Sequence, residues 1–411
     1  MPDQPAFFDL GSFKPTTRTL ALRIREEGAS AALDQAQLRA DAARYQEVTC
    51  QSALNRVKGM PFNWTLNPYR GCTHACHYCF ARRYQTQFEL GPDDEFSSVI
   101  FVKTNLVDVL KRELDHPSWT REHVAFGTAT DPYQPIEGHY KLTRGALEAL
   151  LRGKTSVGLI TKGPMVVRDR DVLAEMSRTL GSTVYMSVPT VDEHAWSSLE
   201  PGTAHPLQRL RAVRQLRDAG VHAGVLMAPL VPGFSTRPEQ LEATVKAVAE
   251  HGAAFVGANV MFLKQGTRDH FLGFIRTQFP EMLEGFEKLY RGPYAPTGYT
   301  SAIRQMISTL QQRYDVTPRA RSEPREFEGD PESETKNAPA GPAGVAMGPA
   351  VVFGGVAGTT VLVDWPHAAT TRARLPSGAT RRYRVMAAEH IQPPATLRCR
   401  PNQAGREVQV A

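Results

Sequence analysis

Three cysteines fall within one short stretch, Cys72-Thr73-His74-Ala75-Cys76-His77-Tyr78-Cys79, directly after an apolar run, Phe62 to Leu66, that reads as a strand. Thiolates are soft ligands for iron–sulfur centres, and three on one tight loop can ligate three irons of a cubane while leaving the fourth without a protein ligand. An open iron is a place for chemistry, whereas a purely electron-carrying cluster normally takes four cysteines. The chain holds five cysteines in all, and the other two, Cys50 and Cys399, lie away from the loop in sequence. The competing use is a structural zinc site with His74 or His77 as fourth ligand. Such sites usually pair two cysteine clips across a longer insert.

Around the loop, from about residue 48 to 318, short apolar runs alternate with helical periodicity, the sign of strand–helix units building a parallel sheet. The candidate strands are Phe62 to Leu66, His123 to Thr128, Ser156 to Thr161, Thr183 to Val188, His222 to Pro229 and Phe255 to Met261. Between and after them the helical stretches are Asn105 to Leu114, Thr143 to Leu151, Asp169 to Leu180, Pro206 to Ala219, Pro238 to Glu250, Arg268 to Tyr290 and Thr300 to Tyr314. The expected fold is α/β, a partial (β/α)6 TIM-like barrel with the helices outside. Working residues in such barrels sit at the C-terminal ends of strands, where the cysteine loop follows the first one.

The remainder divides into shorter pieces. Residues 1–47 form an N-terminal accessory segment with an amphipathic helical stretch from Ala29 to Tyr45. Residues 319–347 are rich in Glu, Asp, Pro, Ala and Gly and read as a disordered linker. Residues 348–395 read as a small β module, with strands Val351 to Phe353 and Thr360 to Asp364 and a hairpin, Thr371 to Leu375 and Thr380 to Val385, around Pro376-Ser377-Gly378. A flexible tail, 396–411, follows. From Gly341 onward there are eight arginines and three acids, and the hairpin carries Arg372, Arg374, Arg381, Arg382 and Arg384 around Tyr383. This Arg-rich module is either a nucleic-acid contact surface or a solvated strand face.

A chain of 411 residues with 41% hydrophobic content can bury one large core. Few cysteines, a start lacking a basic and an apolar leader region, and no long apolar run point to the reducing cytoplasm and to no membrane partner. The net charge of +6 permits a polyanionic partner without requiring one.

The Cys-x3-Cys-x2-Cys spacing, with Tyr78 before the last cysteine, resembles the signature of the radical S-adenosylmethionine (SAM) superfamily. The resemblance implies that Cys72, Cys76 and Cys79 bind a 4Fe-4S cluster. Its open iron would chelate the amino and carboxylate groups of SAM. Reductive cleavage would then yield a 5'-deoxyadenosyl radical, with the electron coming from a donor of the flavodoxin or ferredoxin type. Strand ends would supply the rest. Thr130 and Asp131 suit the methionine amino group or the ribose, Lys162 the methionyl carboxylate and Ser187 the ribose. Met227-Ala228-Pro229-Leu230 is an apolar edge for adenine, and Tyr133 and Glu137 are the residues expected to face substrate. Thr-Asp-Pro is also an ordinary turn initiator.

Asn67-Pro68-Tyr69-Arg70-Gly71-Cys72, Gly127 through Gln134, Ile160-Thr161-Lys162-Gly163 and Ser187 together look like the spore photoproduct lyase-related branch. The run from Ser52 through Cys79, with Lys103-Thr104-Asn105 and Pro117-Ser118-Trp119, is similar to a bacterial and mycobacterial group of radical SAM proteins. By position, the branch carries SAM contacts onto Thr130, Lys162 and Ser187. It also places Thr128 where the lyase has a hydrogen-donating cysteine, so thymine-dimer reversal by that donor is not implied. The alternative to an enzyme is a non-catalytic iron–sulfur or zinc protein that binds nucleic acid or senses redox state.

Overall fold

The computed structural model describes residues 37–58, 60–88 and 95–319. Ten strands appear among them: β1 Arg44–Val48, β2 Leu54–Arg56, β3 Trp64–Leu66, β4 Tyr69–Arg70, β5 Val99–Lys103, β6 Val124–Phe126, β7 Val157–Thr161, β8 Thr183–Ser187, β9 Ala223–Leu230 and β10 Val256–Val260. The main sheet has the order β10-β9-β8-β7-β6-β3-β2. Its six strands β3 and β6 to β10 run parallel, and β2 closes one edge antiparallel to β3. Consecutive strands along the chain are neighbours in space, with helices in the crossovers, as expected of a partial barrel.

All six expected core strands are present: five are one to three residues shorter than expected, and β9 keeps its length but lies one residue further along the chain. β6, β7 and β9 are buried along most of their length and read as apolar runs, whereas β8 alternates over its first half. Val124, Phe126, Val157, Leu159, Val184, Met186, Val225 and Val256 join one continuous core with the inner faces of the surrounding helices. The helix Pro238–Glu250 begins with proline at its first position, and the Arg237 N–H donates to Gln240 Oε1 at 3.4 Å. The proline leaves the first turn one N–H fewer to satisfy, and the Gln240 side chain satisfies that of Arg237.

Three features differ from expectation. A second sheet, in the order β1-β5-β4, takes up two segments the periodicity left unassigned, β4 and β5, together with β1, which overlaps the end of an expected helix. The expected helix Ala29 to Tyr45 is helical at residues 37–42 and gives way to β1, whose Tyr45 lies opposite Ile100 of β5, and the part before residue 37 falls outside the described residues. The stretch Arg268 to Tyr290 forms two helices, Thr267–Gln278 and Pro280–Leu289. Pro280 has no N–H to continue the ladder and forces Phe279 out of helical geometry, at φ −142° and ψ 57°. Apart from Arg319, the linker, the β module with its Arg-rich hairpin and the tail lie outside the described residues. Among the described residues no helix is long and apolar enough to cross a membrane.

Candidate active site

The cysteine loop is held by contacts from several elements. Gly71 introduces it at φ +80°, where a Cβ would stand 2.6 Å from the Val99 carbonyl oxygen and 2.9 Å from that of Phe96. Only glycine fits such a position. Cys72 N donates to Phe96 O at 3.0 Å. The Arg82 side chain is fully buried, and its guanidinium donates to Cys76 O at 3.0 Å and to Ala75 O at 2.8 Å. From the loop after β6, Thr130 donates to Gly71 O at 2.6 Å, and Gln134 accepts from Thr73 N at 3.2 Å. On the far side His77 N donates to Leu199 O, and Gly202 N to His74 O.

A cavity of about 980 Å³, counted out to its open mouth, lies on the C-terminal ends of the parallel strands. The thiols of Cys72, Cys76 and Cys79 share its wall with Gly127 to Asp131, Thr161 and Lys162, Ser187, Leu226, Ala228 and Pro229, and Asn259, Met261 and Phe262. Burial pushes all three thiols up, Cys76 to about 12 and Cys72 well above the usual range, so as free groups they carry protons. Lys162 beside Cys76 and Arg82 beside Cys79 work in the other direction and favour the thiolate that a metal needs. Among the described residues no three His, Cys, Asp or Glu side chains converge as one metal ion would require. Three soft donors spread along one wall fit a cluster, in which each thiolate takes a different iron, better than a single tetrahedral zinc.

Two buried ion networks flank the thiols. Asp131 Oδ1 accepts from Thr161 Oγ1 at 2.7 Å and Tyr133 N at 2.8 Å, and Oδ2 accepts from Lys162 N at 2.6 Å with His74 Nδ1 at 3.4 Å. Burial alone would raise this carboxyl, but His74 and the donors overcome it and hold it at about 2. Asp131 therefore ties the cysteine loop to the end of β7. In the second network Lys162 Nζ donates to Ser187 Oγ at 2.8 Å and stands 3.8 Å from Glu200 Oε1. Glu200, itself buried, also accepts from the Tyr78 hydroxyl and from Arg209, whose guanidinium also reaches Ser187 O at 3.0 Å. Burial works against the Glu200 charge, and Arg209 and Lys162 more than restore it. Lys162 and Arg209 share the single Glu200 carboxylate, and the Lys162 ammonium stands 3.8 Å from it, so this ammonium is left able to take a second carboxylate.

The structure brings Cys72, Cys76, Cys79, Thr130, Asp131, Lys162 and Ser187 to one cavity. It does not bring Tyr133 and Glu137 there, contrary to expectation. Tyr133 is buried, with its hydroxyl on Asp169 Oδ2 at 2.9 Å. Glu137 accepts from Tyr69 at 2.5 Å, Thr143 N at 3.1 Å and Arg168 at 2.7 Å. Both belong to a polar cluster behind the strand-end loop, because their positions on the turn after Asp131 face the helix side. Thr130 and Asp131 line the cavity, but their polar atoms are engaged by the cysteine loop and β7. Thr128 also lines it. Sequence reasoning missed His74 as an anchor, and also Arg82, Gln134, Glu200 and Arg209. No local signal marks them, because their partners lie far along the chain; the need for glycine at 202, whose Cβ would press on the Thr73 carbonyl oxygen, likewise shows only in the fold.

The family model for the radical SAM superfamily matches residues 66–260. An uncharacterised protein of Mycobacterium tuberculosis is 37% identical over 292 residues, spanning 70% of this chain and 86% of the relative. A radical SAM Nα-GlyT isomerase of Pseudomonas phage M6 is 25% identical over 250 residues, 60% of this chain and 46% of the relative. Among solved structures, a spore photoproduct lyase variant with bound AdoMet and dinucleoside spore photoproduct superposes with a TM-score of 0.52 at 14% identity, covering 73% of this chain and 92% of that one. At that identity the likeness concerns the fold.

Proposed function

The chain belongs to the radical SAM superfamily, and from that premise we propose that it is an enzyme holding a 4Fe-4S cluster on Cys72, Cys76 and Cys79, with SAM beside it. When bound, cluster and SAM supply an electron and the 5'-deoxyadenosyl radical that removes a hydrogen atom from substrate. The observation that carries this proposal is the single cavity shared by three thiols of one loop and the ends of five parallel strands.

The protein's own residues divide the remaining work. Lys162 takes the methionyl carboxylate, held in place by Ser187 and Glu200. Ser187 offers its hydroxyl to the ribose. Ala228, Pro229 and Met261 give adenine an apolar wall and keep water from the reacting centre. Thr130 and Asp131 act by holding the cysteine loop against the strand ends, and Asp131 does so as a carboxylate. An acidic donor of the flavodoxin or ferredoxin type, in the reducing cytoplasm, would feed the cluster.

Anaerobic reconstitution with iron and sulfide, followed by dithionite and SAM, tests the proposal. Wild-type protein is expected to form 5'-deoxyadenosine, and Cys76→Ala to form none. Equal product from both proteins would refute it.

A further inference from the structure

The outer wall of the cavity carries a series of aromatic rings that the SAM-facing residues leave unused. Phe80 and Phe262 both line the cavity, with ring centroids 6.4 Å apart and planes tilted by 37°. Tyr294 continues the series 6.0 Å from Phe262 at the same tilt, and it is 62% exposed. Among the described residues the exposed large hydrophobic side chains are Leu38, Leu207 and Tyr294, and Tyr294 is the one that stands against a ring of the cavity wall, that of Phe262. Backbone fixes its place: Phe262 and Tyr294 form an antiparallel bridge, and Leu263 N donates to Pro293 O at 2.7 Å.

The rim is predominantly basic. Segments 262–269 and 290–296 contain Lys264, Arg268 and Arg291 against one acid, Asp269. Arg268 is engaged by Tyr290 O at 2.6 Å. Lys264 and Arg291 have no ion-pair partner among the described residues.

We propose that the cavity mouth is a stacking platform for an unpaired base of a nucleic-acid strand, with the base against Phe262 and Tyr294 and the flanking phosphates on Lys264 and Arg291. The proposal rests on the assignment of the deeper cavity to SAM and names the substrate class for it. Every base has a π-face, and stacking on exposed aromatics beside cations is how single strands are held without reading sequence. A base within a duplex cannot reach a ring at a cavity mouth without leaving its stack. An acidic peptide could use the cations, but only a nucleic-acid strand brings a planar face with every phosphate.

Fluorescence anisotropy with the full chain tests this, using a labelled single-stranded oligodeoxynucleotide, an abasic strand of equal length and an acidic peptide. Tyr294→Ala is expected to weaken the base-bearing strand by about tenfold, with Tyr294→Phe restoring it and the abasic strand unaffected. Lys264→Ala is expected to lower the salt slope by about one, whereas Tyr294→Ala leaves it alone. The platform is refuted if Tyr294→Ala binds the base-bearing strand like wild type, if the abasic strand suffers equally, or if only the peptide responds. The same proteins, reconstituted without oligonucleotide, separate the two proposals. 5'-Deoxyadenosine from both proteins without Tyr294-dependent binding sinks the platform alone. No product from a well-formed cluster sinks the SAM assignment and leaves the binding result standing.

Discussion

Asp131 shows how a single side chain can join the cysteine loop to the sheet. Its carboxyl is held at about 2, below an ordinary value of 3.8, because His74, Thr161 and the Lys162 N–H outweigh burial. A folded-state value below the unfolded one means stability that is complete above about pH 4 and is lost as pH falls toward 2. The gap corresponds to about 2 kcal/mol. Asp131→Asn should therefore cost about 2 kcal/mol in denaturant unfolding of the cluster-free protein near pH 7, with the penalty shrinking at about pH 3. A penalty of equal size at both pH values would show that the charge contributes nothing. At the same scale, Tyr133 and Glu137 illustrate a limit of sequence: each stands in a polar turn near the cavity, yet Asp169 and Arg168 hold them behind it.

At the scale of elements, the clip between the helix Glu193–Leu199 and the helix Pro206–Asp218 is the least conspicuous part of the site. Within it Leu199 O and Gly202 N hold the two histidines of the cysteine loop through their backbone, and Glu200 joins Tyr78 to Lys162 and Arg209. Gly202→Ala places a methyl group against the Thr73 carbonyl and must displace the loop. The expected result is a loss of about 2 kcal/mol from overpacking together with reduced iron uptake on reconstitution, read as iron per chain and visible absorption. Normal iron uptake would show that the loop adapts without the clip. The split at Pro280 is a contrasting case, where a local rule sufficed: the missing N–H ends one helix and begins another, whatever surrounds it.

At the scale of the molecule, all residues lining the cavity lie between Cys72 and Phe262, and the described chain returns at its end to the last strand, where Arg319 N donates to Val256 O at 3.1 Å. A chain ending at residue 340 keeps both, so it should make 5'-deoxyadenosine within about twofold of full length. Loss of cleavage would mean that the arginine-rich end takes part in chemistry rather than in binding. The parallel sheet and the cysteine loop are legible in the chain, because buried strands, helical periodicity and ligand spacing are local patterns whose physics is contained in adjacent residues. Which polar groups meet depends on how the folded chain brings distant segments together. Tyr78 and Glu200 are 122 residues apart, Thr130 and Gly71 are 59, and Lys162 and Ser187 are 25. Such pairings come from strands laid side by side in the sheet, and no local pattern of residues records which strand ends share a cavity.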